Sequence, residues 1–75
     1  MRPYRNLSDE SRVLAFEIGD DYIKVMFKEG IYTYSYMSAG QENIEKMKTL
    51  ALHGRGLNTF INDYVKNSYE SKTTY

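Results

Sequence analysis

Between Val13 and Tyr36 the chain alternates with a period of two, three times over. In "VLAFEI", Leu14, Phe16 and Ile18 fall on one side. In "YIKVMFK", Ile23, Val25 and Phe27 oppose Lys24, Met26 and Lys28. In "IYTYSY", Tyr32, Tyr34 and Tyr36 share a side. A period of two points alternate side chains to opposite faces of a strand, and β-branched and aromatic residues suit a pleated, half-buried surface. "GDD" and "EG" between the runs are turn signals. The pattern predicts a three-stranded antiparallel meander with residues 22–28 in the centre.

The register of the second hairpin decides what the tyrosines do. A two-residue loop, Glu29-Gly30, sets Lys28 opposite Ile31, Phe27 opposite Tyr32, Val25 opposite Tyr34 and Ile23 opposite Tyr36. All three tyrosines then lie on the apolar face, with Thr33 and Ser35 facing solvent. A three-residue loop, Lys28-Glu29-Gly30 with Gly30 closing a bulge, moves the pairing by one and turns the tyrosines towards Lys24 and Met26. There they would form an open platform able to stack bases. The two-residue loop is preferred because antiparallel sheets commonly keep one apolar face. Tyr34 is then expected beneath the helices.

"SAGQENIEKMKTLALHG" predicts a helix with Ser38 as N-cap and Gln41 closing a capping box. Ile44, Met47, Leu50 and Ala51 form its apolar stripe. Gly54 is its stop. A second helix follows "RG", with Asn58 as N-cap and Leu57, Ile61, Tyr64 and Val65 buried. The expected fold is α+β, in the order β-β-β-α-α, with both helices on one face of the sheet. The expected core is Leu14, Phe16, Ile18, Ile23, Val25, Phe27, Ile44, Met47, Ala51, Leu57, Ile61 and Val65.

Seventy-five residues hold one domain, and a chain this short buries only roughly 60% of its unfolded surface. The sequence has no cysteine and one histidine, His53, which excludes disulfide, zinc-thiolate and multi-imidazole staples. No apolar run approaches the ~20 residues of a membrane span, and "MRPYRNLSDESR" lacks the apolar core of a signal peptide. The expectation is a cytoplasmic protein without membrane association. Ten basic and ten acidic residues cancel, which argues against strong sequence-blind nucleic-acid binding but leaves room for a local patch.

"VLAFEIGDDYIKVMFKEGIYTYSY", followed by "LALHGRGLNTFI", resembles the KTSC domain, a short bacterial and phage module named for its place at the C-terminus of some lysyl-tRNA synthetases. The residues carrying the resemblance are Phe27 with Gly30, Tyr32-Thr33-Tyr34, and Gly54, Leu57, Asn58 and Ile61. It spans roughly residues 8 to 68. Two departures stand out. The turn glycine sits one residue closer to the first tyrosine than is usual in the family, which agrees with the shorter turn. Leu57 stands where the family has an aromatic before Asn. The resemblance implies RNA binding, an activity suggested for the family from its synthetase context. It frames the chain as an N-terminal arm over 1–10, a KTSC-like domain over 11–68 and a flexible tail over 69–75.

The candidate ligand-binding residues are Arg55, His53, Asn58, Lys28 and Tyr36. "HGRGLN" could hold a phosphate on backbone N–H groups near Leu57 and Asn58, with Arg55 as a bidentate clamp. The same stretch also reads as two ordinary helix caps, and it matches neither the dinucleotide fingerprint nor the P-loop. Lys24 and Lys28 could form a cationic patch or a solvated face. Asp20-Asp21 suits a turn better than a metal site. No spacing suggests a nucleophile with a base and an orienter, so the chain is expected to be non-catalytic, without cofactor or metal. Its expected function is binding RNA or another phosphate-bearing nucleotide ligand. The alternative is a protein-interaction module, such as a phage-encoded inhibitor or adaptor acting on a host protein. Such a module would use Val13, Met26 and Ile31 on the outer sheet face, or an unpaired edge strand that joins a partner's sheet or a second copy.

Overall fold

In a computed structural model of the chain, residues 1–7 and 11–74 are described. The elements are β1 (Arg2–Pro3), β2 (Val13–Ile18), β3 (Tyr22–Phe27), β4 (Gly30–Ser35), α1 (Tyr36–Ala39), α2 (Gln41–His53), α3 (Leu57–Phe60) running on into a π-helical turn (Ile61–Val65), and β5 (Ser71–Thr74). The α+β class is as expected, but the sheet has five strands, not three, in the order β1-β2-β3-β4-β5. Every pairing is antiparallel. The segments read as arm and tail each supply an edge strand, and the helices lie between β4 and β5 in sequence. Part of the arm (residues 8–10) and the last residue of the tail lie outside the described residues.

Phe27 pairs with Gly30, Val25 with Tyr32 and Ile23 with Tyr34, so the two loop residues are Lys28 and Glu29. The register differs from the expected one by two, and an even shift leaves every side chain on its expected face. Gly30, expected in the turn, is a strand residue. Its φ of 158° is one that side-chain-bearing residues rarely adopt, and a Cβ there would meet the Thr73 carbonyl oxygen at 2.2 Å. Both the backbone conformation and the close passage of β5 account for glycine at position 30. Tyr34 is 1% exposed, inside the core.

Leu14 does not join the core. A bulge between Val13 and Ala15 leaves Leu14 as the extra residue, so Val13 rather than Leu14 faces inward beside Phe16. Val13 is therefore no part of an outer patch. Ile18, the next expected core residue, is only partly buried.

Helix starts also moved. Ser35, expected in solvent, is the N-cap of α1: its hydroxyl accepts from the Ser38 N–H, and the Ser38 hydroxyl accepts from the Ser35 N–H. This reciprocal box keeps Ser35 buried and makes Ser38 the N3 partner instead of a cap. Gly54 ends α2 in the left-handed conformation, as expected. Gly56, not Asn58, is the N-cap of α3. Tyr64 is 68% exposed and stacks on Phe60 at 4.9 Å. The wider π turn advances fewer degrees per residue, so Ile61 and Val65 stay aligned on the buried face while Tyr64 swings off it.

One cluster joins Val13, Phe16, Ile23, Val25, Phe27 and Tyr34 of the sheet to Ile44, Met47 and Ala51 of α2 and to Leu57, Ile61 and Val65 beyond it. Tyr4, just past β1, is part of it. Helices on one face and strands on the other give two layers around one core.

Candidate functional site

The α2–α3 junction that carries His53 and Arg55 is fixed by the N-terminal segment. Tyr4 is 6% exposed, and its hydroxyl accepts the Leu57 N–H at 3.3 Å. The Leu7 N–H donates to the Gly54 carbonyl at 2.7 Å, and the Arg5 guanidinium donates to the Leu52 carbonyl. A Cβ on Gly54 would lie 2.8 Å from Arg5 Cβ. This close approach, together with a φ of 78°, explains glycine at that position. The Leu57 N–H expected to meet a phosphate is thus already engaged by Tyr4.

Beside this junction lies a concavity of about 280 Å³ lined by Arg2, Pro3, Arg5, Phe16, Ala51 and Leu52. The Arg2 guanidinium sits 5.7 Å from the Phe16 ring centroid. Its floor is apolar and its rim carries two guanidinium groups. Arg5 spends one N–H on Leu52, leaving other donors of its five. His53 and Arg55, both exposed, flank the Gly54 against which Arg5 packs. Arg2 and Arg5 fall within the expected N-terminal arm. The signal that could have placed them is Tyr4, a large aromatic in a polar stretch, which marks a chain anchored to the core.

The other expected site residues are elsewhere. Asn58 is half-buried within α3, and its carbonyl accepts the Ile61 N–H. Lys28 is in the β3–β4 turn and lines a separate concavity of about 250 Å³ with Ser11, Arg12 and Leu14. Arg12 there pairs with Glu29 at 2.9 Å. Tyr36 lies past the far end of β4, a strand length of about 20 Å from that turn. Its hydroxyl donates to the Glu45 carboxylate, and Lys48 sits 5.6 Å from its ring centroid. Lys48 also bonds Glu45 at 2.8 Å and the Asp20 carbonyl at 2.9 Å. The hydrogen bond to Glu45 raises the Tyr36 pKa, and the bond from Lys48, then that from Tyr36, lowers that of Glu45. This set ties α2 to the β2–β3 turn.

The outer sheet face is no cationic platform. Glu17 pairs with Lys24 across the strands and accepts the Tyr22 hydroxyl at 2.9 Å, which raises the Tyr22 pKa. Lys24 shares a shallow concavity of about 340 Å³ with the acidic residues Asp21 and Glu70. Among the described residues, no helix is long and apolar enough to cross a membrane.

No protein-family model, curated protein or solved structure matches the chain.

Proposed function

We propose that the chain is a small non-catalytic module that binds a phosphate-bearing ligand, RNA or a nucleotide, at the basic concavity between β1 and the end of α2. The observation that carries this reading is the meeting of Arg2 and Arg5 around an apolar floor, next to the His53–Arg55 junction. Guanidinium groups suit phosphate because their donors form a planar fork. An apolar wall beside them can hold a base or sugar. The resemblance to the KTSC domain supports the same reading. The acidic residues of the outer face disfavour a nucleic acid there, since phosphate repels carboxylate. Lys28 and Tyr36 are not part of this site.

The test is titration of labelled single-stranded RNA, tRNA and free nucleotides at ~50 mM salt, repeated at higher salt to obtain the counterion slope. Arg2→Ala is expected to weaken binding by roughly 1–3 kcal/mol, the scale of a lost charge-assisted contact, and, Arg2 being exposed, to leave melting nearly unchanged. Absence of binding to every one of these ligands would remove the reading. A second reading, a module acting on a host protein, is favoured by the half-buried Met26 and Ile31, which pair on the outer sheet face opposite the helices.

A further inference from the structure

The basic concavity carries two cations that its own lining does not neutralise. Arg2 and Arg5 both line it, and among the described residues neither pairs with a carboxylate. Each is held by an uncharged partner instead. The Arg2 guanidinium lies 5.7 Å from the Phe16 ring centroid, and the Arg5 guanidinium donates to the Leu52 carbonyl. The main chain fixes the pair as well. Arg2 pairs with Phe16 and Pro3 with Ala15, and the Tyr4 N–H donates to the Leu14 carbonyl at 3.0 Å. Tyr4, between the two arginines in sequence, is buried. Phe16 and Ala51 are buried in the floor, while Leu52 is a large apolar side chain left exposed on the wall.

Like charges on an apolar floor are screened less than in open water. A ligand relieves that repulsion in proportion to the negative charge it brings. An internal phosphodiester brings one charge. A terminal phosphate monoester brings about −1.5 to −2 at pH 7, with three acceptor oxygens for the two planar forks. We propose that the concavity selects the terminal phosphate monoester of a nucleotide over an internal phosphodiester. The phosphate lies between Arg2 and Arg5, and the nucleoside rests on Pro3 and Leu52. The volume of about 280 Å³ is at the low end for small-molecule sites, roughly 300–1,000 Å³, and suits one nucleotide unit rather than a run of them. A free nucleotide and a 5′-phosphorylated RNA end share this chemistry. The selectivity rests on the phosphate binding proposed above and specifies which phosphate is taken.

The test titrates the isotope-labelled full chain with two pairs of ligands at ~50 mM salt and reads affinities from amide shifts. One pair is adenosine 5′-monophosphate and its methyl phosphodiester. The other is one hexanucleotide RNA with a 5′-phosphate or a 5′-hydroxyl. The phosphate monoester is expected to bind about tenfold or more tighter than its counterpart, the size of one lost charge-assisted contact. Arg2→Ala should bring that ratio to within about twofold, since one guanidinium then faces either ligand. A merely structural role for Arg2 would lower both affinities and keep the ratio. A preference for the 5′-phosphate within the RNA pair places the ligand at an RNA end, and one confined to the mononucleotides makes it a free nucleotide; either supports the proposal. Equal affinity within both pairs overturns it and leaves the phosphate reading standing, as does a preference that survives Arg2→Ala. Absence of binding by all of these ligands removes that reading as well.

Discussion

Replacing Tyr34 with alanine is the sharpest probe of the sheet register. The ring is 1% exposed, lies opposite Ile23 and meets Tyr69 edge to face at 6.4 Å. Truncating a buried aromatic costs about 3–5 kcal/mol, the spread reflecting how far the cavity collapses. A domain of this size has a total stability of only about 4–11 kcal/mol. Each kcal/mol moves the melting temperature of such a domain by about 4–8 °C, so Tyr34→Ala should melt at least about 12 °C below wild type or fail to fold. Thermal and urea melts followed by circular dichroism measure this. Tyr34→Phe keeps the ring and loses only the hydroxyl, so it should cost no more than about 1.5 kcal/mol. A Tyr34→Ala protein melting within about 4 °C of wild type would show that the tyrosine face is open and the register wrong.

Ser35→Ala removes the capping box of α1 and should cost about 1 kcal/mol, read from the urea midpoint at constant m-value. Burial, reinforced by Tyr32 and Tyr69, raises the Tyr34 pKa. The unfolded chain ionises this group near pH 10 while the folded chain keeps it neutral. Stability from this source is therefore complete below about pH 10 and falls above it by up to about 1.4 kcal/mol per pH unit. Tyr34→Phe should flatten that part of an alkaline stability profile. Glu45 has the opposite sign: its lowered pKa contributes stability above about pH 4.3 that is lost as pH falls through the folded value. Glu45→Gln should therefore reduce the acid dependence of unfolding.

The alternation in β3 and β4 was enough to assign faces only together with a two-residue loop, since a loop one residue longer turns the tyrosines to the other face. The helical stripe of Ile44, Met47 and Ala51 was legible from its spacing. The bulge at Leu14 was not, since "VLAFEI" alternates cleanly and only the pairing with Met26 and Phe27 shows the extra residue. The edge strands were also hidden. "RP" and "SKTT" have no apolar period, and what holds them is pairing to β2 and β4. The glycine pair marked the His53–Arg55 junction as a candidate site. The two arginines that join it were illegible, because they are placed by Tyr4, which reaches Leu57 across 53 residues of sequence.

The most direct test of phosphate binding at the basic concavity is a titration of the isotope-labelled chain, read amide by amide, with a short single-stranded RNA and with ATP. Perturbations should cluster at Arg2–Arg5, Phe16 and 52–55, and weaken as salt rises. Perturbations centred on Tyr22, Lys24 and Thr33, or none with either ligand, would contradict it.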